Sequence, residues 1–451
     1  MKLNNYNNIF FIGIGGSGMS ALANYFVGEN KRVIGYDKFE STNTNNLESK
    51  GVEIIYNDDI EEVGIEYLEP EKTLVIYTPA IPKTSKLLQY FITSGFVVLK
   101  RAEALGLIAN SSFCVAIAGT HGKTTTTSIL GHLLKSCNKS ATIFLGGISE
   151  NYNSNLIVNG KDICVVEADE FDKSFLTLKP NIACITSIDA DHLDIYNGLD
   201  DLKDNFNLFI KNIVPKGTLI ANEDLEIGGE SFGFESTSKY TIQNINLNNG
   251  CYNFDVCMDG EMTQNFKFKL PGKHNLSNAL AAIVIALKLD CKIEDLKLGL
   301  STFIGVKRRY SFHINSKDLV YIDDYAHHPE EINAIYNSLV ESYPHENYLV
   351  AFQPHLYSRT RDFIEEFSAA LSKFHTVLLL DIYPARELPI DGVDANWLLS
   401  KISSPVKKTV KLKDLDKQIY NCKMKINVTL GAGNIGNEAL KIKKQLLEYA
   451  N

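Results

Sequence analysis

Short apolar runs alternate along this chain with longer segments of helical period. Phe10-Phe11-Ile12 runs into a glycine turn, and Ser20 to Phe26 reads as the helix that follows. Arg32 to Gly35 and Leu74 to Tyr77 read as later strands. Continuous apolar runs suit strands buried on both faces, and helices between them supply the crossovers that parallel strands need. The pattern restarts at Phe113 to Ala118, with strands expected at Ile163 to Val166 and Ile182 to Thr186, and Thr126 to Lys135 as a helix. It restarts again near Leu319 to Ile322, with strands at Tyr348 to Phe352, Val377 to Leu380 and Val428 to Leu430. Three restarts predict three α/β domains, over residues 1–106, 107–312 and 313–451. Between Ser231 and Lys269, aromatic residues such as Phe232, Tyr252 and Phe266 mix with turn residues. Short antiparallel strands, forming an edge or flap of the middle domain, are expected there.

Composition agrees with this division. At 451 residues the chain exceeds one ordinary hydrophobic core, and 45% hydrophobic with 22% charged residues is globular. A formal net charge of -9 gives no general electrostatic reason to bind nucleic acid or an anionic membrane. A phosphate ligand must therefore be held by local devices. The eight cysteines are scattered without a C-x-x-C pair, so they read as small buried hydrophobes in a reducing compartment. The apolar run near the start is short and flows into a glycine turn, unlike a signal peptide. No stretch approaches the roughly 20 apolar residues that span a bilayer, so a cytoplasmic protein without membrane insertion is expected.

The first chemical signal is Gly13-Ile14-Gly15-Gly16-Ser17-Gly18, a G-x-G-x-x-G turn between a strand and a helix, with Asp37 at the next strand end. Glycines there let the backbone approach a pyrophosphate, and the acid suits a ribose hydroxyl. A plain tight turn is the competing reading. The second signal is stronger. Gly119-Thr120-His121-Gly122-Lys123-Thr124-Thr125 follows a buried strand and opens a helix. Its spacing departs from the strict P-loop, because Ile117 stands where the first glycine would be. The parts still fit: backbone N–H groups cradle phosphate oxygens, Lys123 neutralises the outer phosphates, and Thr124 can ligate magnesium. Two further strands of that domain run into Glu167-Ala168-Asp169-Glu170 and Asp189-Ala190-Asp191-His192. Carboxylates at strand ends beside a phosphate loop suggest Mg²⁺. Asn275 and Asn278 precede an alanine-rich helix and read equally well as caps. Lys307-Arg308-Arg309, near the second boundary, is either a solvated face or a charge clamp on phosphate.

In the last domain four strands end in chemistry-bearing residues. These are Asp323-Asp324-Tyr325-Ala326-His327-His328-Pro329, then Gln353-Pro354-His355-Leu356-Tyr357-Ser358-Arg359, then Asp381 to Glu387, and finally Gly431-Ala432-Gly433-Asn434. One such end is ordinary turn chemistry. Four on one edge describe a crevice rich in His, Arg and Asp.

Taken together, GIGGSGMSALA, GTHGKTTTT, EADEFDKSF, DADHLD, GKHNLSNALAA, KRR, DDYAHHPEE, FQPHLYSRTRDF, DIYPARELPIDGV and GAGNIG resemble the Mur ligases of peptidoglycan synthesis, in order and over nearly the whole chain. The resemblance implies a Rossmann-like first domain that holds UDP, a central P-loop-type ATPase domain whose parallel sheet carries a small antiparallel flap, and a Rossmann-like last domain that presents an amino acid. The implied substrates are UDP-N-acetylmuramate, L-alanine and ATP, with Mg²⁺. UDP would sit at Gly13, Gly15, Gly16, Ser17, Gly18 and Met19, with Asp37. ATP would sit at Gly119 to Thr125, with Asn275 near the adenine. Magnesium would use Thr124, Glu167 and His192. L-Alanine would meet His355 and Arg359, with His327 and His328 nearby.

The chain departs from the family pattern twice. Leu356 stands where many members carry arginine, and Arg386 stands where many carry glycine. A compensating exchange of one cation would place Arg386 at the amino acid. The expected reaction proceeds through an acyl phosphate, with Lys123 and Arg308 or Arg309 screening charge and His192 or His328 taking the amine proton. Exclusion of water would require closure of the last domain. The rival readings are a related ligase with another amino acid or peptide, and a non-enzymatic nucleotide-binding regulator. A monomer or homodimer is expected.

Overall fold

A computed structural model describes residues 3–189, 196, 198–248, 250–385 and 387–448. The chain divides into two compact units. One runs through Asn246 and takes in Asn253–Phe268 and Ser277–Phe303; the other comprises Leu247–Tyr252, Lys269–Leu276 and the chain from Ile304.

Strands β1 (Asn8–Ile12), β2 (Arg32–Tyr36), β3 (Glu53–Ile55), β4 (Thr73–Tyr77) and β5 (Val97–Lys100) form a sheet in the order β3-β2-β1-β4-β5. All its pairings are parallel. The two-residue period of β1 explains its continuous apolar run. Phe10 and Ile12 pack on one face with Tyr36, Val75 and Phe91. Ile9 and Phe11 pack on the other with Ala21, Leu22 and Phe26 of the helix Ser17–Gly28.

The second sheet holds β6 (Phe113–Ala118), β7 (Ala141–Ser149), β8 (Ser154–Val158), β9 (Ile163–Ala168), β10 (Ile182–Ile185), β11 (Thr218–Asn222), β12 (Glu230–Gly233), β13 (Tyr240–Asn248), β14 (Cys251–Met258) and β15 (Glu261–Phe268). Its order is β15-β14-β13-β12-β11-β10-β6-β9-β7-β8. β6 lies between β10 and β9 and runs parallel to both, so three carboxyl ends fall side by side. One expectation needs correction, and one element was not foreseen. β12 pairs in parallel with β11 and β13, so antiparallel pairing does not extend through the whole of residues 231–269. β7 and β8 form an antiparallel hairpin that periodicity did not disclose.

The third sheet holds β16 (Ser311–Asn315), β17 (Val320–Asp324), β18 (Tyr348–Phe352), β19 (Thr376–Leu379), β20 (Val406–Thr409) and β21 (Ile426–Leu430), in the order β16-β17-β21-β18-β19-β20. Only β16 is antiparallel to its neighbour. The ends of β17, β21, β18 and β19 therefore line one edge, as their sequence endings suggested. Three largely parallel sheets with crossover helices make this an α/β protein of three sheets. Among the described residues, no helix is long and apolar enough to cross a membrane. The eight cysteines are free thiols.

Candidate active site

At the end of β1, Gly13 takes φ +88°, a left-handed conformation that glycine adopts without strain. The helix begins at Ser17, so Ser17, Gly18 and Met19 belong to its first turn, not to the loop. Gly16 stands at the cap, where the helix presents unpaired N–H groups. Asp37 is already engaged. Its Oδ2 accepts from the Gly15 N–H at 2.8 Å, so it braces the turn from the next strand. Asn43 holds the same residue from the other side, its Nδ2 donating to the Gly15 carbonyl at 2.8 Å. Arg101 was not singled out by sequence reasoning. A Cβ on Gly18 would stand 2.6 Å from its Nη1, and its guanidinium lies 4.0 Å from Asp169.

Beyond β6, Gly119 has φ +134° and Gly122 has φ +86°, and these two reversals shape the loop. A Cβ on Gly122 would meet the Asn278 Oδ1 at 2.6 Å. Asn278 also accepts from Thr126 Oγ1 at 3.1 Å, so it buttresses the loop from the helix Lys123–Ser136 outward. That helix starts at Lys123, three residues earlier than the expected Thr126, because left-handed Gly122 serves as its cap. Lys123, Thr124 and Thr125 thus form a first turn whose N–H groups lack intrahelical partners. The end of β10 holds the other side. Ser187 O accepts from Thr120 N at 3.1 Å, and Ser187 Oγ from His121 N at 2.9 Å. Thr120 Oγ1 donates to Asp189 at 3.2 Å, and His121 Nε2 lies 3.8 Å from the same carboxylate.

Lys123 does not project freely. Its Nζ donates to Gly119 O at 2.5 Å and to the two carboxylate oxygens of Glu170 at 2.9 and 2.8 Å. The Glu170 side chain is 0% exposed. Burial opposes the lysine's charge, but Glu170, Asp169 and Glu167 outweigh it and hold the ammonium above the usual lysine range. Glu167 accepts from Thr124 Oγ1 at 2.8 Å and from Gly146 N at 2.5 Å. Burial raises its pKa, against the opposing effects of those two hydrogen bonds and of Lys123. A hydroxyl and a half-buried carboxylate in contact form a hard oxygen donor set that fits Mg²⁺. His192, the third metal candidate, and Arg386 lie outside the described residues.

In the other unit, buried Asn275 donates from Nδ2 to Pro271 O at 2.7 Å. Arg308 donates from Nε to Asp323 Oδ2 at 3.0 Å and from its terminal nitrogens to the Gly431 and Gly433 carbonyls. It ties the start of this unit's sheet to the loop after β21. Arg309 lies 3.6 Å from Glu331. Both guanidinium groups lie over the Tyr325 ring, at 5.1 and 5.4 Å.

The adjacent histidines diverge. His328 caps the helix Pro329–Ser342, its Nδ1 accepting from Glu330 N at 3.5 Å, and its ring packs edge-on to Phe363. Glu331 closes the capping box by accepting from the His327 and His328 N–H groups. His327 instead meets His355, ring centroids 5.8 Å apart, and His355 stacks on Tyr383. Burial lowers both pKa values, reinforced by the Arg359 charge, and His355 falls to about 4. The structure thus gathers His327, His355 and Arg359, while His328 serves a helix end. Leu356 holds φ +72° between His355 and the helix Tyr357–Asp362, a strained conformation for a leucine.

Family models match three successive segments: the Mur ligase family catalytic domain over residues 8–113, the Mur ligase middle domain over 117–286, and the Mur ligase glutamate ligase domain over 308–427. The chain is 48% identical to the UDP-N-acetylmuramate–L-alanine ligase of Christiangramia forsetii, covering 99% of each. It is 50% identical to the enzyme of that name from Flavobacterium psychrophilum, covering 99% of this chain and 100% of the other. Among solved structures, the UDP-N-acetylmuramate–alanine ligase of Thermotoga maritima superposes with a TM-score of 0.81 at 28% identity, covering 98% of this chain and 99% of that one. A murein peptide ligase from Psychrobacter arcticus shares the fold at 21% identity and TM-score 0.68, covering 97% of this chain and 98% of that one.

Proposed function

The chain belongs to the Mur ligase family, and from that premise we propose that it joins L-alanine to the carboxylate of UDP-N-acetylmuramate at the expense of ATP, in peptidoglycan precursor synthesis. The observation that carries this reading is likeness to L-alanine ligases over the full chain at about half identity. In this reading residues 1–106 hold the UDP-sugar, 107–312 hold ATP, and 313–451 present the amino acid, in a cytoplasmic protein.

The residues divide the work. The turn Gly13–Met19 binds the UDP pyrophosphate through backbone N–H groups, with Asp37 bracing the turn. Gly119 to Thr125 take the ATP phosphates, and Asn275 lies near the adenine. Thr124, Glu167 and His192 would hold magnesium, which when bound neutralises phosphate charge. Lys123 exchanges part of its contact with Glu170 for phosphate oxygens, and its positive charge offsets repulsion between the phosphate and the attacking carboxylate. Arg308 or Arg309 would share that task; Arg308 is bound to Asp323 and two carbonyl oxygens, and Arg309 lies 3.6 Å from Glu331. His327, His355, Arg359 and Arg386 receive L-alanine. Its amine attacks the acyl phosphate, and phosphate leaves. Either His192 or His328 would take the amine proton: a magnesium-bound His192 has its lone pair on the metal, and the Nδ1 lone pair of His328 accepts at the helix cap, so each would have to give up that contact first.

The test is ADP release in the presence of UDP-N-acetylmuramate, with L-alanine, L-serine, glycine or a murein tripeptide as acceptor. L-Alanine should give the highest kcat/KM. Preference for the tripeptide would replace this reading with that of a peptide ligase, and no turnover with any acceptor would favour a binding protein. Arg386→Gly should raise KM for L-alanine; an unchanged KM would remove Arg386 from the amino-acid site.

A further inference from the structure

One residue outside both glycine-rich turns touches the machinery of each. Gly146, in β7, accepts through its carbonyl from Ser17 Oγ at 2.7 Å. Its N–H donates to Glu167 Oε1 at 2.5 Å, and the other oxygen of that carboxylate accepts from Thr124 at 2.8 Å. A continuous chain of hydrogen bonds therefore runs from the first turn of the helix Ser17–Gly28 to the first turn of the helix Lys123–Ser136. A Cβ at position 146 would stand 2.7 Å from Glu167 Oε2, so a side chain there would displace that carboxylate.

A clamp fixes the near end. Asn155, in β8 and 6% exposed, donates to Ser17 O at 2.8 Å and to Ser20 Oγ at 2.9 Å. Ser20 Oγ itself donates to Ser17 O at 2.9 Å. The β7–β8 hairpin thus grips the helix N-terminus from one strand and Glu167 from the other. A ligand that shifts or orders Ser17 must move the hairpin, and the hairpin carries one of the two hydrogen bonds that orient Glu167. The coupling is geometric: a shift of the Gly146 N–H reorients the carboxylate whose other oxygen meets Thr124.

We propose that Gly146 is a positioning residue for Glu167, and that the Ser17–Gly146–Glu167–Thr124 chain couples occupancy of the UDP-sugar turn to magnesium-nucleotide affinity at the phosphate loop. This rests on the proposed function, which supplies the two ligands. Linkage requires the coupling to be reciprocal.

The experiment measures binding without turnover. Calorimetry gives Kd for a non-hydrolysable ATP analogue with Mg²⁺, with and without saturating UDP-N-acetylmuramate and with L-alanine omitted. Wild-type affinity should change by about 5-fold or more on saturation, the lower range of measured couplings. Ser17→Ala removes the hydroxyl and keeps the turn's backbone. Asn155→Ala removes the clamp and touches neither nucleotide. Both should reduce the factor to less than half, with thermal unfolding confirming an intact fold. Saturation removes any loss of UDP-sugar affinity from the comparison. Equal factors in wild type and both variants, or none in wild type, would overturn the coupling while leaving the proposed function standing. Failure of wild type to bind either ligand would overturn both.

Discussion

The Lys123–Glu170 pair makes one lysine answerable for both chemistry and folding. A buried ion pair adds little net stability, but removing one partner strands the other charge. Lys123→Ala should therefore abolish turnover and also cost about 3–5 kcal/mol of stability, because Glu170 would be left buried and uncompensated. The double change Lys123→Ala/Glu170→Ala should recover much of that stability in urea unfolding and none of the turnover. His355 sets a pH limit. Its pKa in the folded chain, about 4, lies below its ordinary 6.5. Between these values the unfolded chain takes up a proton that the folded chain refuses. The contribution of neutral His355 is whole above about pH 6.5 and is lost as pH falls toward 4, reaching about 3 kcal/mol. Wild type should lose more stability than His355→Gln between pH 7 and 4.5; parallel losses would show that the ring is not held neutral by its surroundings.

Among the elements, Arg308 is bound within its own unit, a role not among the two, solvated face or charge clamp, that the basic triplet suggested. Asp323 is almost fully buried, and Arg308 joins it to the carbonyl oxygens after β21. Arg308→Met and Asp323→Asn should each destabilise, by about 3–5 kcal/mol for the former, and the double variant should lose less than their sum. Additive losses would mean the two groups act separately. Strand ends were legible because apolar runs stop where chemistry begins: Ala118, Ala168, Ile185 and Asp324 all precede or open candidate residues. Helix starts were less legible, since left-handed Gly122 places the cap earlier than hydrophobic period alone suggests. Side-chain contacts between distant segments left no local signal. Nothing near Asp37 announces that it braces Gly15, nothing near Glu170 that it meets Lys123, and nothing near Gly146 that it meets Glu167. His328 had a legible cap signature in Pro329 and Glu331, which its adjacency to His327 obscured.

For the molecule as a whole, ligand binding and stability are linked. A nucleotide that binds only the folded chain adds about 2.7 kcal/mol at a hundredfold excess over Kd. Thermal unfolding with the ATP analogue should rise accordingly in wild type and not in the Lys123→Ala/Glu170→Ala variant. The phosphate loop also lies in an acidic chain and faces more carboxyl groups than cations, with Glu170, Asp169 and Glu167 around Lys123. Such a loop is a poor trap for simple anions. Sulfate and inorganic phosphate find the lysine already spoken for, so millimolar concentrations of either should leave nucleotide binding unchanged. Naked ATP meets the same repulsion, and chelation with EDTA should weaken its binding at least about tenfold, a difference calorimetry resolves. The Lys123–Glu170 pair thereby acts as a filter on ionic form, admitting the nucleotide with its divalent partner and turning away the anion alone.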